Sequence, residues 1–216
     1  MVGMSLTVTQ YMVGGYDDNF SYLLTDSETK QTFYVDPCGT VDVVLHAIQK
    51  NDLTLTGIII THTHHDHIDG LTAVLANYNV PVYVHTLGQN RIDAPHKEIL
   101  HDNDRLPIGE SELTVWHTPG HLDDSVCLST QKTNDGAPAL ISGDTLFVRG
   151  CGRTTKNDVY DLYESLLRIK TLPPETIIYP GHNYGPTPTS ILSEELLENQ
   201  YLTAPNFEAF LKRRLD

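Results

Sequence analysis

The chain has 216 residues, 39% of them hydrophobic, and its 28 acidic and 14 basic residues give a formal net charge of -14. This length fits one well-buried domain, expected to span residues 1–216, and the acidic charge argues against nucleic acid or an anionic membrane surface as a partner. Because no apolar run reaches the roughly 20 residues of a membrane span and the first residues lack the features of a secretory signal, we expect a cytoplasmic protein. The three cysteines are widely spaced and form no CxxC pair, which argues against a disulfide framework or a zinc ribbon.

Strands and helices alternate in the first half of the chain. We predict strands over residues 5–12, 20–24, 32–35, 56–61 and 81–85, and helices over 41–49 and from 69 to about 76. The strand, helix and strand between residues 32 and 61 form a βαβ unit. Asp36 ends the third strand, where its carboxylate either orients a metal-bound histidine or begins a turn. Between residues 87 and 105 the pattern is weak and indicates only a short helix near 88–92.

The densest set of metal donors lies at residues 57–70, which read GIIITHTHHDHIDG. An apolar strand here runs directly into His62, His64, Asp66 and His67. Imidazole nitrogens and carboxylate oxygens suit zinc, iron and manganese. We expect a turn rather than a helix, because residues two apart on a helix point to different faces. The stretch therefore predicts a metal site at a strand end.

Three strands of the second half also end in potential ligands. We predict strands over 113–116, 126–129, 139–142 and 176–179, a helix over 158–169, and tail helices over 193–199 and 206–214. His121, Asp144 and His182 follow the first, third and fourth of these strands. Loops at one edge of an α/β sheet are where functional sites form. Together with the GIIITHTHHDHIDG stretch, these junctions give seven candidate donors.

The motifs THTHHDH, HTPGH, SGDTLF and PGH, in this order, resemble those of the metallo-β-lactamase superfamily. DTLFVRGCGR and LPPETIIYPGHNY are similar to the glyoxalase II and persulfide dioxygenase branch. The resemblance implies an α/β fold of four αββα layers, two mixed β-sheets flanked by helices, with a short helical tail over about 189–216. It also implies two divalent metal ions, zinc, iron or manganese, with the following ligands: His62, His64 and His121 for one ion, Asp66, His67 and His182 for the other, and Asp144 as the bridge.

In such a site a hydroxide between two metal ions is a nucleophile at neutral pH. The resemblance therefore implies a glyoxalase II type of hydrolase that cleaves a thioester such as S-lactoylglutathione, with Asp66 positioning the nucleophile or carrying a proton to the thiolate. The first alternative is a persulfide dioxygenase with a single Fe(II) held by His62, His121 and Asp144. A lactonase is third, and a metal-stabilised interaction domain without activity is the remaining reading.

The substrate is expected to be a small molecule, and a glutathione conjugate is the main candidate. Only residues 183–216 follow His182, fewer than the helical C-terminal domain that supplies much of the glutathione surface in longer relatives. Basic and polar residues near the metal motifs are candidates for substrate contact: Arg149, Arg153, Lys156, Asn183 and Tyr184. We predict that Lys212–Arg214 form a solvated helix end and that Cys151 is a structural loop residue. The oligomeric state stays open.

Overall fold

Two mixed six-stranded sheets form the centre of the structure, a computed structural model that describes residues 6–215. The first sheet consists of β1 (Leu6–Gly14), β2 (Asn19–Asp26), β3 (Gln31–Val35), β4 (Thr54–Ile59), β5 (Val82–His85) and β6 (Lys97–Leu100), in that order. β1 to β3 are antiparallel neighbours, whereas β3 to β6 are parallel ones. Residue 5, the first of the predicted opening strand, lies outside the described residues, as does residue 216.

The second sheet comes from the other half of the chain. Its strands are β7 (Arg105–Ile108), β8 (Ser111–His117), β9 (Val126–Thr130), β10 (Ala139–Gly143), β13 (Ile177–Pro180) and β14 (Ser190–Ile191), in the spatial order β14-β13-β10-β9-β8-β7. The hairpin of β11 (Leu146–Phe147) and β12 (Gly150–Cys151) forms a third, small sheet. The helices are α1 (Val41–Lys50), α2 (His65–Ile68), α3 (Leu71–Leu75), α4 (Val159–Ile169), α5 (Leu192–Glu198) and α6 (Phe207–Leu215).

Side-chain alternation along the strands explains the layers. In β2 every residue is buried: Phe20 and Leu24 point into the apolar layer between the sheets, and Leu23 points to the layer under α1 and α3. A third apolar cluster lies between the second sheet and the helices α4, α5 and α6. β2 is therefore buried on both faces, although its sequence NFSYLLTD includes polar residues. The predicted αββα sandwich is confirmed.

The structure corrects two local predictions. Residues 88–92 form a turn instead of a helix, and the weak region from 87 to 105 contains β6 and the start of β7. The donor-rich stretch is also partly helical, because α2 begins at His65, directly after His64. The two tail helices form close to the predicted residues, as α5 and α6. Within residues 6–215, none of the helices has the length and hydropathy that crossing a bilayer requires.

Candidate metal centre

All seven predicted donors meet at one edge of the two sheets. β4 of the first sheet leads into His62 and His64, and α2 carries Asp66 and His67. The turns after β8, β10 and β13 of the second sheet supply the remaining three: His121, Asp144 and His182. Among the described residues the donor atoms fall into three groups, each within 4.8 Å: His62, His64 and His121; His62, His67 and Asp144; Asp66, His67 and His182.

The group of His62, His64 and His121 presents three ring nitrogens to one point. His64 Nδ1 lies 3.1 Å from His62 Nε2 and 2.9 Å from His121 Nε2. Nitrogen ligands of a tetrahedral zinc ion, each about 2.05 Å from the metal, are about 3.3 Å apart. The spacing of these imidazoles is therefore close to that of a zinc coordination sphere.

Asp144 faces both this group and the group of Asp66, His67 and His182. Its Oδ2 lies 3.5 Å from His121 Nε2 and 3.2 Å from His182 Nε2, and its Oδ1 lies 3.4 Å from His67 Nε2. His67 Nε2 and His182 Nε2 are 3.2 Å apart, and Asp66 Oδ2 is 3.4 Å from the latter. Asp144 Oδ1 is buried without a hydrogen-bond partner, which is costly for a carboxylate oxygen unless a cation binds it. The carboxylate thus faces donors of both groups.

Three of the rings use their outer nitrogen to donate a hydrogen bond, which leaves the inner nitrogen free to bind a metal ion. His121 Nδ1 donates to the carbonyl oxygen of Arg153 at 2.7 Å, and His182 Nδ1 donates to that of Asp17 at 2.6 Å. Likewise, His67 Nδ1 donates to Asp36 Oδ2 at 2.9 Å. In the neutral form of each ring the single proton is on Nδ1, and Nε2 faces the centre as a lone pair. Converging lone pairs repel one another unless a cation lies between them, and the donor set therefore fits divalent metal ions.

The pKa shifts of the donors follow from burial and from their charged neighbours. Burial opposes ionisation of Asp144, but the positive charge of protonated His67 and the hydrogen bond from His182 outweigh burial and hold the pKa of this carboxyl well below its usual range. Burial also opposes protonation of His67, but Asp144 and Asp36 outweigh it and raise the pKa of His67 well above its usual value, so His67 would release a proton on binding a cation. Burial lowers the pKa of His62 well below its usual value, and neighbouring His67 lowers it further. His62 is therefore neutral and available as a ligand, and Asp144 is anionic.

Close backbone approach explains the glycine that precedes His182. A Cβ atom on Gly181 would lie 2.2 Å from Asp144 Oδ1 and 2.9 Å from His67 Cε1. Any side chain there would displace the carboxylate that faces both donor groups. The PGH sequence thus supplies a ligand and the space that a neighbouring ligand needs.

A cavity of about 520 Å³ opens beside the donors. Donors and wall residues line it together: Asp17, His64, Asp66, His121, Asp144, Phe147, Cys151, Arg153, His182, Tyr184 and Arg214. Its size is within the usual range for a small-molecule site. Burial raises the pKa of Cys151 to about 12, so this thiol is protonated and is not a nucleophile at neutral pH.

Two arginines, Arg153 and Arg214, lie in the cavity wall. Within the described part of the chain, neither has a carboxylate within salt-bridge distance, and the Nε of Arg214 is buried without a hydrogen-bond partner. Arg153 was among the predicted substrate contacts, whereas Arg214 was predicted to lie in a solvated helix end. The position of α6 against α4 is what brings Arg214 to the cavity. Only the basic run at 212–214 indicated it in the sequence.

Three of the predicted substrate residues do not line this cavity. Arg149 instead pairs with Glu195 at 3.2 Å and with Glu198 at 2.8 Å. Lys156 is exposed, and Asn183 is half-buried with its backbone N–H bonded to the carbonyl of Asp18. Contact of these three with substrate is not supported by the geometry.

Tyr184 does line the cavity, and it is tied to the donors. Its ring stacks on His182 with centroids 4.7 Å apart, and its hydroxyl donates to Asp17 Oδ2. The carbonyl of Asp17 also accepts from His182. The sequence analysis missed Asp17, which joins the cavity wall to a candidate ligand. Asp36, whose role it left open, contacts His67 and so orients a candidate ligand.

Comparison with known proteins agrees with this geometry. The hydroxyacylglutathione hydrolase of Hahella chejuensis is 39% identical over 173 residues, which cover 80% of this chain and 64% of that protein. The enzyme of the same name from Bdellovibrio bacteriovorus is 36% identical, with 86% of this chain and 70% of that protein covered. The chain thus spans about two thirds of the length of these curated relatives. The crystal structure of ETHE1 from Myxococcus xanthus matches with a TM-score of 0.85 at 30% identity, covering 97% of this chain and 90% of that one. The sequence model of the metallo-beta-lactamase superfamily matches residues 14–182, and the chain therefore belongs to this superfamily.

Proposed function

We propose that this chain is a thioester hydrolase that acts on a glutathione conjugate such as S-lactoylglutathione. The observation that carries the proposal is the convergence of seven metal donors beside a cavity whose wall holds two arginines without ion pairs. The names of the curated relatives support the same reaction. The proposal includes two divalent ions, zinc, iron or manganese, bound by the seven donors. It also includes a single domain and a location in the cytoplasm.

When bound, the metal ions would lower the pKa of water and polarise the thioester carbonyl. The chain's own groups then position the reactants. Asp66 Oδ2 accepts a hydrogen bond from Asn19 Nδ2 at 3.1 Å, and the carboxylate is partly exposed to the cavity. Burial opposes its ionisation, but His67 and Asn19 outweigh burial and lower the pKa of Asp66. As an ionised carboxylate, Asp66 accepts a hydrogen bond from the attacking water and holds its oxygen toward the acyl carbon.

Hydrolysis of a thioester consumes one water molecule. The water oxygen bonds to the acyl carbon, the carbon–sulfur bond breaks, and the sulfur leaves as a thiolate. Asp66, which lines the cavity, would carry the proton of water to that sulfur. Arg153 and Arg214 are placed to bind a carboxylate of the conjugate. No serine or cysteine nucleophile is required.

The proposal is tested by measuring hydrolysis of S-D-lactoylglutathione in an oxygen-free cell, using protein whose metals have been counted. We expect thiol release with about two metal ions per chain, since both donor groups are complete. The persulfide dioxygenase alternative uses His62, His121 and Asp144, which also meet here. Absence of thiol release, with about one iron per chain and oxygen uptake on glutathione persulfide, would replace the proposal with that alternative.

Replacing Arg214 with alanine should raise KM for S-D-lactoylglutathione about tenfold and change kcat little, because a charged contact far from the reacting bond contributes to binding. Arg153→Ala should behave in the same way. Steady-state kinetics measure both effects. A thioester without carboxylates, S-lactoyl-N-acetylcysteamine, should show no difference between the variants and the wild-type protein.

Arg213→Ala is the matched control for the Arg214 substitution. Arg213 lies on the same helix, but its guanidinium donates to the carbonyl of Gln200 and to Thr203 Oγ1, and it does not line the cavity. Its removal should leave KM unchanged. An equal rise of KM in both variants would attribute the effect to α6 as a whole and contradict a specific contact of Arg214.

A further inference from the structure

Thr63 lies between two candidate ligands and contacts a buried carboxylate. It separates His62 from His64, and its Oγ1 donates to Asp124 Oδ2 at 2.7 Å. Its backbone N–H points to Oδ1 of the same carboxylate at 3.5 Å. The side chain of Asp124 is 0% exposed and lies three residues after His121. The Thr63–Asp124 contact therefore ties the segment of two ligands to the segment of the third.

A second tie joins the same two segments. The backbone N–H of Val126 donates to the carbonyl of Thr61 at 2.8 Å. Thr61 and Thr63 thus flank His62, and each bonds to the segment that follows His121. The ring nitrogens of the three ligands are only about 3 Å apart, so a small shift of one segment changes the shape of the whole group.

The position of Asp124 is fixed from the other side. Gly88 passes so closely that a Cβ atom there would lie 2.2 Å from Asp124 Oδ2. Arg91 Nη1 lies 3.7 Å from Oδ1, although its guanidinium mainly pairs with Asp123. Asp124 is thus confined on the side away from Thr63, and its hydrogen bond limits the movement of Thr63.

We propose that Asp124 is a positioning residue that shapes the group of His62, His64 and His121 through Thr63, and thereby sets the affinity of one of two metal ions. This inference rests on the proposed metal centre. The other group has its own supports, because Asp36 orients His67 and the carbonyl of Asp17 orients His182. The effect of Asp124 should therefore be selective for one ion.

The test compares Thr63→Val with Thr63→Ser. Valine keeps the size of threonine but has no hydroxyl, whereas serine retains the donor to Asp124. Apoprotein is titrated with Zn²⁺ against a competing chelator, and the visible spectrum is recorded with Co²⁺. Thr63→Val should bind one Zn²⁺ equivalent at least about tenfold more weakly and shift one component of the Co²⁺ spectrum, since loss of a group that orients a ligand has effects of this size. Thr63→Ser should have the Zn²⁺ affinities and the Co²⁺ spectrum of the wild-type protein.

Asp124→Ala removes the acceptor itself and should reproduce the selective loss. If that variant fails to fold, the comparison of valine with serine at position 63 still decides. Two unchanged Zn²⁺ affinities in Thr63→Val, or an equal weakening of both, would overturn the role of Asp124. A wild-type protein that binds fewer than two Zn²⁺ ions would instead contradict the proposed metal centre, before any variant is compared.

Discussion

Replacing Asp144 with alanine should remove both metal ions and lower kcat/KM by at least about a thousandfold. The carboxylate is the donor that faces His121 and His182 through Oδ2 and His67 through Oδ1, so its loss affects both donor groups. Metal ions contribute several kcal/mol of transition-state stabilisation, and each 1.36 kcal/mol corresponds to a tenfold change in rate. Metal content by emission spectroscopy and the rate of thiol release measure the two effects.

Asp26→Asn is the control for this substitution. Asp26 is another buried carboxylate, and it accepts hydrogen bonds from Ser111 and Thr29 away from the metal donors. Its change should reduce stability but leave two metal ions per chain. An Asp144→Ala protein with two ions and wild-type turnover would refute the assignment of Asp144 as a shared ligand.

The second large effect is expected for Asp36→Asn, which should weaken metal binding by about 10- to 100-fold. Asp36 Oδ1 accepts from the backbone N–H of Thr61 at 2.7 Å, and Oδ2 accepts from Thr61 Oγ1 at 2.6 Å and from His67 Nδ1 at 2.9 Å. Asparagine replaces one of these two oxygens with an NH₂ group. This NH₂ group then faces another hydrogen-bond donor, from Thr61 or His67. With the NH₂ group in the place of Oδ2, His67 loses its acceptor, and with it in the place of Oδ1, the backbone N–H of Thr61 loses its acceptor instead.

Asparagine is a suitable replacement because Asp36 has a φ of 51°, a conformation that asparagine adopts more readily than most other residues. The substitution therefore tests the carboxylate and preserves the backbone. Metal affinity is measured by Zn²⁺ titration against a chelator, and thermal unfolding of the apoprotein gives the change in stability. Asp69→Asn, which alters a carboxylate bonded only to the backbone of Gly39, should keep its metal affinity. Equal affinities in the two variants would argue against the role of Asp36.

The ligand positions were predictable from the sequence because each is local. An apolar run that is separated from His62 by one residue, or from Asp144 by two residues, places the donor just after a strand whatever the rest of the chain does. The layers were predictable by resemblance, and the alternation of buried residues in β2 agrees with them. The strands β6 and β7 were missed because Lys97–Leu100 and Arg105–Ile108 are short and partly exposed, so that their pattern is weak.

The cavity wall was less predictable because it depends on contacts between distant segments. Arg149 and Arg153 are close in sequence and equally cationic, yet Arg149 sits in a turn with a φ of 62° and pairs with Glu195 on α5. Arg214 reaches the cavity only because α6 packs near α4. Neither outcome follows from the spacing of residues along the chain, since a salt bridge between residues 149 and 195 requires the tertiary fold.

The origin of Arg214 in α6 has a consequence for how such proteins diverge. The candidate metal ligands come from α2 and from turns that follow strands of the two sheets, whereas Arg214 comes from α6, a peripheral helix that supplies none of the seven donors. Mutations in α6 can therefore accumulate without changing the seven donors. Under the proposed function, homologues with different residues at this position would keep the donor set and accept acyl thioesters of different charge, so that new substrate preferences can evolve on an unchanged metal centre.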